Sequence, residues 1–238
     1  MLPHNRAMVA RFGRPELHVP VETVEVETRT LDDLRLSGDI DRADYIKIDV
    51  EGAELSILQA GQSVLRDCLA LKIECSFLFQ RVSQPRIWDV AIWLAEVGFE
   101  LVDIRDVRRW RRTRLPAHPY RASVPVPYSR GEAAQCDLVV LRSADRVVED
   151  DQALRLLVIS AALGYFDYAI ALLRTRPDVA AHALREVKID LESELRAWSA
   201  ITGGIEVRKA LRSTLRGVVP LVRAWAGRLP HESNEAER

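Results

Sequence analysis

The chain has 238 residues, with 34 basic against 35 acidic side chains and 48% hydrophobic residues, which is enough apolar material for at least one sizeable core. That content excludes a chain disordered throughout. A formal net charge of -1 excludes a general demand for nucleic acid or an anionic surface, so any such partner must meet a local patch.

Three cysteines, Cys68, Cys75 and Cys136, contain no CxxC pair and fit a reducing, cytoplasmic setting better than a disulfide framework. The first twenty residues lack the basic start and apolar run of a secretory signal. No apolar stretch approaches the roughly 18 to 20 residues that a membrane span needs.

In chain order, residues 17–30 alternate apolar and polar types with Val19, Val21, Val24 and Val26 among them, which predicts a strand. Thr30 before Leu31, Asp32 and Asp33 predicts a helix N-cap, with acids favoured in the first turn by the partial positive charge of the free amides. The short helix runs through Leu36. Residues 44–50, DYIKIDV, are a compact β-branched run and predict a central strand buried on both faces of a parallel sheet. Leu55, Leu58, Val64 and Leu65 recur at helical spacing over residues 53–67, with Gly61 as an interruption. Residues 69–76 predict a second buried strand. Pro85 and Gly98 bracket an amphipathic helix, and residues 99–107 predict a third strand. Residues 105–131, rich in Arg, Pro and His, read as a long connection, and residues 136–142 as a closing strand.

Strands alternating with helices predict an α/β sheet of the doubly wound type, because parallel strands need crossovers. From Asp150 the chain is helical by period and propensity, with Gly164 and Pro177 as punctuation. The expected organisation is an α/β domain over residues 1–145, a helical region over 146–230 and a disordered tail over 231–238.

Strand alternation places Tyr45, Lys47 and Asp49 on one side, so Lys47 and Asp49 point the same way. A lysine in a buried strand needs a partner, and Glu74 on the neighbouring strand is the natural one. Asp49 and Glu51 fall where strand gives way to helix, at the carboxyl edge where open α/β folds bind ligands. The competing reading is that both acids cap the following helix and that Lys47 with Glu74 is a structural ion pair. Arg105, Arg108, Arg109, Arg111, Arg112 and Arg114 surround Trp110 in a basic loop able to clamp a carboxylate or phosphate, or simply to face water. Arg109, Arg112, His118 and Tyr120 are the substrate-binding candidates there. His4, His18, His182 and His231 lack metal-ligand spacing, and no metal site is expected.

TLDDL at 30–34, then KIDVEGAE at 47–54 extending to Gly61, IEC at 73–75, GFEL at 98–101 and QCDL at 135–138 together resemble the FkbM-type methyltransferase family. The resemblance spans about residues 19–143, and KIDVEGAE is its specific part. It implies a Rossmann-like class I methyltransferase core that uses S-adenosylmethionine to methylate hydroxyl groups on sugars, polyketides or other natural products. On that reading Asp49 and Glu51 line the transfer site, with Lys47 and Glu74 supporting them. The family also opens with a strand and a glycine-rich turn of the type DxGANxG. Before residue 47 this chain has only Gly13 and Gly38, so it reads as the later part of such a domain and is expected to bind S-adenosylmethionine weakly or not at all. The alternative function is a non-catalytic remnant that serves as an interaction module.

The expected partner is a small-molecule or glycan acceptor. An unpaired central strand would favour oligomerisation. Residues 207–229 carry six basic and no acidic side chains, with Val207, Leu211, Leu215, Val218, Val222, Trp225 and Leu229 at spacings of four and three. Such a helix either packs on its neighbours or touches an anionic membrane peripherally.

Overall fold

The computed structural model describes residues 2–12, 22, 24–113, 131–186 and 188–226, with side chains described as far as residue 214. Val19, Val21, His118, Tyr120 and the 231–238 tail lie outside them.

Among the described residues the sheet has four strands: β1 (Tyr45–Ile48), β2 (Ala70–Ser76), β3 (Phe99–Trp110) and β4 (Glu132–Arg142), in the order β1-β2-β4-β3. β1 and β2 are parallel, while β4 runs antiparallel to both β2 and β3, so the architecture is mixed α/β. The expected central strand is therefore an edge strand, and its Tyr45 and Lys47 are exposed while Ile48 is buried. The physical reason is visible in the alternation itself: Lys47 and Asp49 on one side against Ile46 and Ile48 on the other is a one-face pattern. The strand expected over 17–30 is not formed in its described part, residues 24–30, where Val24 and Val26 stand in solvent.

The long basic connection is also shorter than expected. Residues 99–110 form one strand, bulged near Leu101, Arg105 and Arg108, and hairpin-paired to β4. Its far end is anchored by Trp110, which meets the Phe12 ring edge-on at 5.5 Å. Phe12 follows α1 (Arg6–Arg11).

Helices fit the sequence more closely. α2 (Leu31–Leu36) starts with a capping box in which Thr30 Oγ1 accepts from Asp33 N at 3.0 Å and Asp33 Oδ2 accepts from Thr30 N at 3.1 Å. Residues 53–67 split at Gly61 into α3 (Glu54–Gln59) and α4 (Gln62–Asp67). A side chain at Gly61 would bring its Cβ within 2.9 Å of Leu31, so glycine there permits α2 to approach. α4 has no side-chain cap from its own N-terminus; Asp32 supplies one, accepting from Ser63 N, Ser63 Oγ and Val64 N.

α3, α4 and α5 (Ile87–Glu96) cover one face of the sheet through Leu58, Leu65, Leu71, Ile73, Leu94 and Leu138. α6 (Asp150–Ala162), α7 (Phe166–Thr175) and α8 (Pro177–Glu186) pack on the Ala70 and Leu141 end of the other face through Leu156, Ala169 and Leu172. Contacts divide the chain into one unit of residues 1–114 and 131–199 and a second of 115–130 and 200–238. In the second, the described residues are those of α9 (Leu191–Ala226) from position 200 onward.

Candidate functional site

The parallel register sets Tyr45 beside Ala70 and Lys47 beside Lys72, and the antiparallel one sets Glu74 beside Asp137 and Arg108 beside Gln135. Charged side chains from four strands therefore meet on one face at the carboxyl ends of β1 and β2. One carboxylate oxygen from each of Asp49, Glu51 and Glu74 lies within 4.8 Å of the others.

Each acid has a cation. Lys47 Nζ lies 3.0 Å from Asp49 Oδ2, Arg81 Nη2 3.0 Å from Glu51 Oε2, and Arg108 Nη1 2.9 Å from Glu74 Oε1. The expected Lys47–Glu74 pair is replaced by Lys47–Asp49. Register explains the change, because Lys47 faces another cation, Lys72, across the strand pair, whereas Glu74 comes level with the end of β1 and is reached by Arg108 from β3. Lys72 in turn bonds Asp137 at 2.8 Å. Hard carboxylate oxygens clustered in this way are the donors that magnesium or calcium accepts. Here Lys47, Arg81 and Arg108 already engage one oxygen of each acid.

The turn that carries Glu51 follows from the sequence VEGAE. Glu51 has φ 60 and Gly52 φ 110, both left-handed, and at Gly52 a Cβ would come within 3.1 Å of Arg81 Cδ. The buried Glu54 folds back so that its Oε1 accepts from Gly52 N at 2.9 Å and from Val50 N at 3.4 Å. Glycine is thus required for the backbone to turn under Arg81, and the turn delivers Glu51 to that guanidinium.

Arg81 is itself held by the chain around it. Its Nη1 donates to Leu2 O at 3.2 Å and lies 3.4 Å from His4 Nε2; its backbone N donates to Gln84 Oε1. Gln84 and Gln80 both donate to Ser76 Oγ, and all four of these side chains, Ser76, Gln80, Arg81 and Gln84, are buried. Burial, reinforced by the Arg81 charge, lowers the pKa of His4.

Electrostatics separate the two acids on the open face. Lys47 holds Asp49 below the usual carboxylate range. Glu74, 6% exposed, is pushed up to about 7, first by burial and then by the Asp49 charge, with Arg108 opposing both. Two neighbouring carboxyls with acidities driven apart can divide the labour of a base and a proton donor.

The substrate-binding candidates are dispersed. Arg109 donates to Gly131 O at 3.4 Å, and Arg112 forms an exposed pair with Glu132 at 2.5 Å, which leaves neither in the carboxylate cluster. His118 and Tyr120 fall outside the described residues. Arg108, the member of the basic stretch that does enter the site, follows from β3 extending to Trp110. Arg81 and its buried amides were not legible in FQRVSQ, because no spacing there marks a polar network closed through Gly52.

Residues 4–101 match the model of the methyltransferase FkbM domain. The FkbM resemblance drawn from KIDVEGAE is thereby borne out over that segment, which runs from α1 into the start of β3 and contains Asp49, Glu51, Gly52, Glu74 and Arg81. Arg108 and the QCDL stretch lie beyond the FkbM match. No curated protein matches the chain.

Proposed function

We propose that the chain is an S-adenosylmethionine-dependent O-methyltransferase whose cluster of Asp49, Glu51 and Glu74 serves the acceptor hydroxyl, on a sugar or natural product. The observation that carries this reading is the pair Asp49 and Glu74, adjoining carboxyls with one acidity held low and the other raised to about 7, at a sheet edge inside the FkbM match. On this reading the sheet belongs to a Rossmann-like class I methyltransferase fold, within a domain of residues 1–145, and α6 onward forms the helical region.

Asp49 orients the acceptor hydroxyl and takes its proton as the oxygen gains a methyl group, since an oxygen that loses its proton during displacement avoids developing positive charge. Lys47 keeps Asp49 ionised, so the base is ready at neutral pH. Glu74 donates a hydrogen bond to Asp49, which holds that carboxylate in place. Glu51, fixed by Arg81, offers a second acceptor for a neighbouring hydroxyl. The acceptor is a small molecule or glycan.

S-adenosylmethionine is the methyl donor that the family implies, and it supplies an electrophilic sulfonium methyl. The described residues do not by themselves fit it. Before β1 the positive-φ glycine among them is Gly38, which follows the six-residue helix α2 and not a strand. This favours a second reading, a non-catalytic interaction module. Calorimetry and label transfer separate the two. Binding of S-adenosylmethionine weaker than about 10 μM, or ~7 kcal/mol, is expected for this chain. At millimolar labelled donor, transfer to a panel of hydroxylated acceptors is expected, falling at least a hundredfold in Asp49→Asn. Undetectable transfer, or an Asp49→Asn variant as active as wild type, would overturn the assignment.

A further inference from the structure

At the other end of β2 and β4 from Glu74 lies a cavity of about 340 Å³ lined by Gln62, Leu65, Arg66, Trp93, Val97, Arg142 and Arg146. Three of its seven lining residues are arginines and none is acidic. Arg66 makes no ion pair among the described residues, and Arg146 has only its sequence neighbour Asp145, at 3.9 Å. Asp67, next to Arg66, is engaged by Arg35 at 2.5 Å.

Arg142 is the fixed element. It is 7% exposed, stacks its guanidinium over the Phe99 ring at 3.9 Å, and donates Nε to Cys68 O at 3.0 Å and Nη1 to Val97 O at 2.8 Å. Nη2 donates to Leu65 O. Three of its five N–H groups are thus spent on carbonyls, and two remain, one on each terminal nitrogen. Among the described residues no carboxylate forms an ion pair with it, and Asp67 offsets its charge only from a distance. Burial, with the Arg146 charge adding to it, holds the Arg142 pKa below its ordinary value. A buried cation satisfied by carbonyls alone, joined by two further arginines that lack strong acidic partners, concentrates positive potential in one concavity.

Of the other four lining residues, Leu65, Trp93 and Val97 are apolar and Gln62 is a neutral amide. A cavity of this size is within the range of small-molecule sites. Guanidinium forks match the oxygens of phosphate in spacing and charge, and an indole offers a face to a planar group. We infer that this cavity is a binding site for a small organic phosphate, its phosphoryl oxygens on Arg66, Arg142 and Arg146 and its planar or apolar part against Trp93. The site is separate from Asp49 and Glu74, so its failure leaves the methyltransferase reading untouched.

The probe is phenyl phosphate, titrated calorimetrically into the full chain at constant ionic strength beside phenol and inorganic phosphate. Phenyl phosphate is expected to bind at least tenfold more tightly than either. The Arg66→Ala, Arg146→Ala double variant is expected to lose at least tenfold while its circular dichroism and melting temperature stay unchanged. Trp93→Ala should bring phenyl phosphate down to the affinity of inorganic phosphate. If the double variant does not fold, Arg66→Gln alone, at an exposed position, carries the same test with a smaller loss. Phenyl phosphate binding no better than phenol, or a folded arginine variant that binds as wild type does, would overturn the inference.

Discussion

Asp49 and Glu74 stand side by side at the carboxyl ends of two parallel strands, one acid held low by Lys47 and the other raised by burial and by its neighbour. Their acidities are properties of the pair, since each carboxyl feels the charge state of the other.

This arrangement sets the pH dependence of stability. Glu74 has a folded pKa of about 7 against an ordinary value of 4.5, so between those pH values the folded chain holds a proton that the unfolded chain has released. Its contribution therefore favours the fold at acid pH and declines as pH rises through that window. Glu74→Gln cannot ionise, and relative to wild type it is expected to gain about 2 kcal/mol between pH 5 and pH 8, short of the full shift because part of that window lies below pH 5. Asp49 works the other way: its depressed pKa contributes above the unfolded value and is lost as pH falls through the folded one. Urea melts of wild type and Glu74→Gln at both pH values measure the difference. A gap independent of pH would mean that Glu74 is not protonated near neutrality.

Gly52→Ala tests the turn. The φ of 110 is strained for any L side chain, and a Cβ there presses on the buried Arg81 stem at 3.1 Å. A loss of about 1 to 3 kcal/mol is expected. Because Arg81 must move, the pH profile of activity should change along with stability. A variant with wild-type melting and wild-type activity would show that the left-handed turn is dispensable.

How much of this was legible in the sequence depends on whether the determining interaction is local. Thr30 and Asp33 sit three residues apart, and although the return bond from Asp33 was not legible, the N-cap at Thr30 with acid in the first turn was readable. So was the break at Gly61, although its cause, the approach of Leu31, was not. Asp49 and Glu51 were placed at the strand-to-helix edge because alternation and a following Glu-Gly break are local signals, and the FkbM resemblance pointed to the same residues. Partner choice was not legible: Lys47 was matched to Glu74 without knowing the register, and register put Lys72 opposite it. Strand identity for residues 108–110 was hidden because arginines disguise a strand whose exposed edge they decorate. Val24 and Val26 carried strand propensity but found no strand to pair with among the described residues, and propensity without a partner makes no sheet.

Asp32→Ala tests a different tertiary link. Burial works against the Asp32 carboxylate, yet the bonds from Ser63 and Val64 hold its pKa low, and they supply the cap that α4 lacks. Loss of that cap should cost about 1 to 2 kcal/mol. Asp33→Ala, which removes a cap within α2 only, should cost less. Thermal melts of the two variants decide the order, and equal losses would assign Asp32 no role beyond its own helix.

The basic segment 207–229 yields the last prediction. Among the described residues no helix is long and apolar enough to cross a membrane. Peripheral contact is a separate matter. Within α9, Val207 is 67% and Leu211 58% exposed. Arg208 donates to Gly204 O and Lys209 pairs with Glu206 at 2.7 Å, contacts a solvated helix makes with itself. A helix with apolar residues at spacings of four and three, six basic side chains and no acid suits the headgroup layer of an anionic bilayer, where each basic residue adds about 1 kcal/mol. Co-sedimentation should show the chain bound to anionic vesicles and free with neutral ones. Arg208→Glu with Arg212→Glu should reduce the bound fraction several-fold without unfolding the sheet. Equal recovery in the supernatant with both vesicle types would leave this helix to a protein partner, and would remove the membrane from any account of where the acceptor is met.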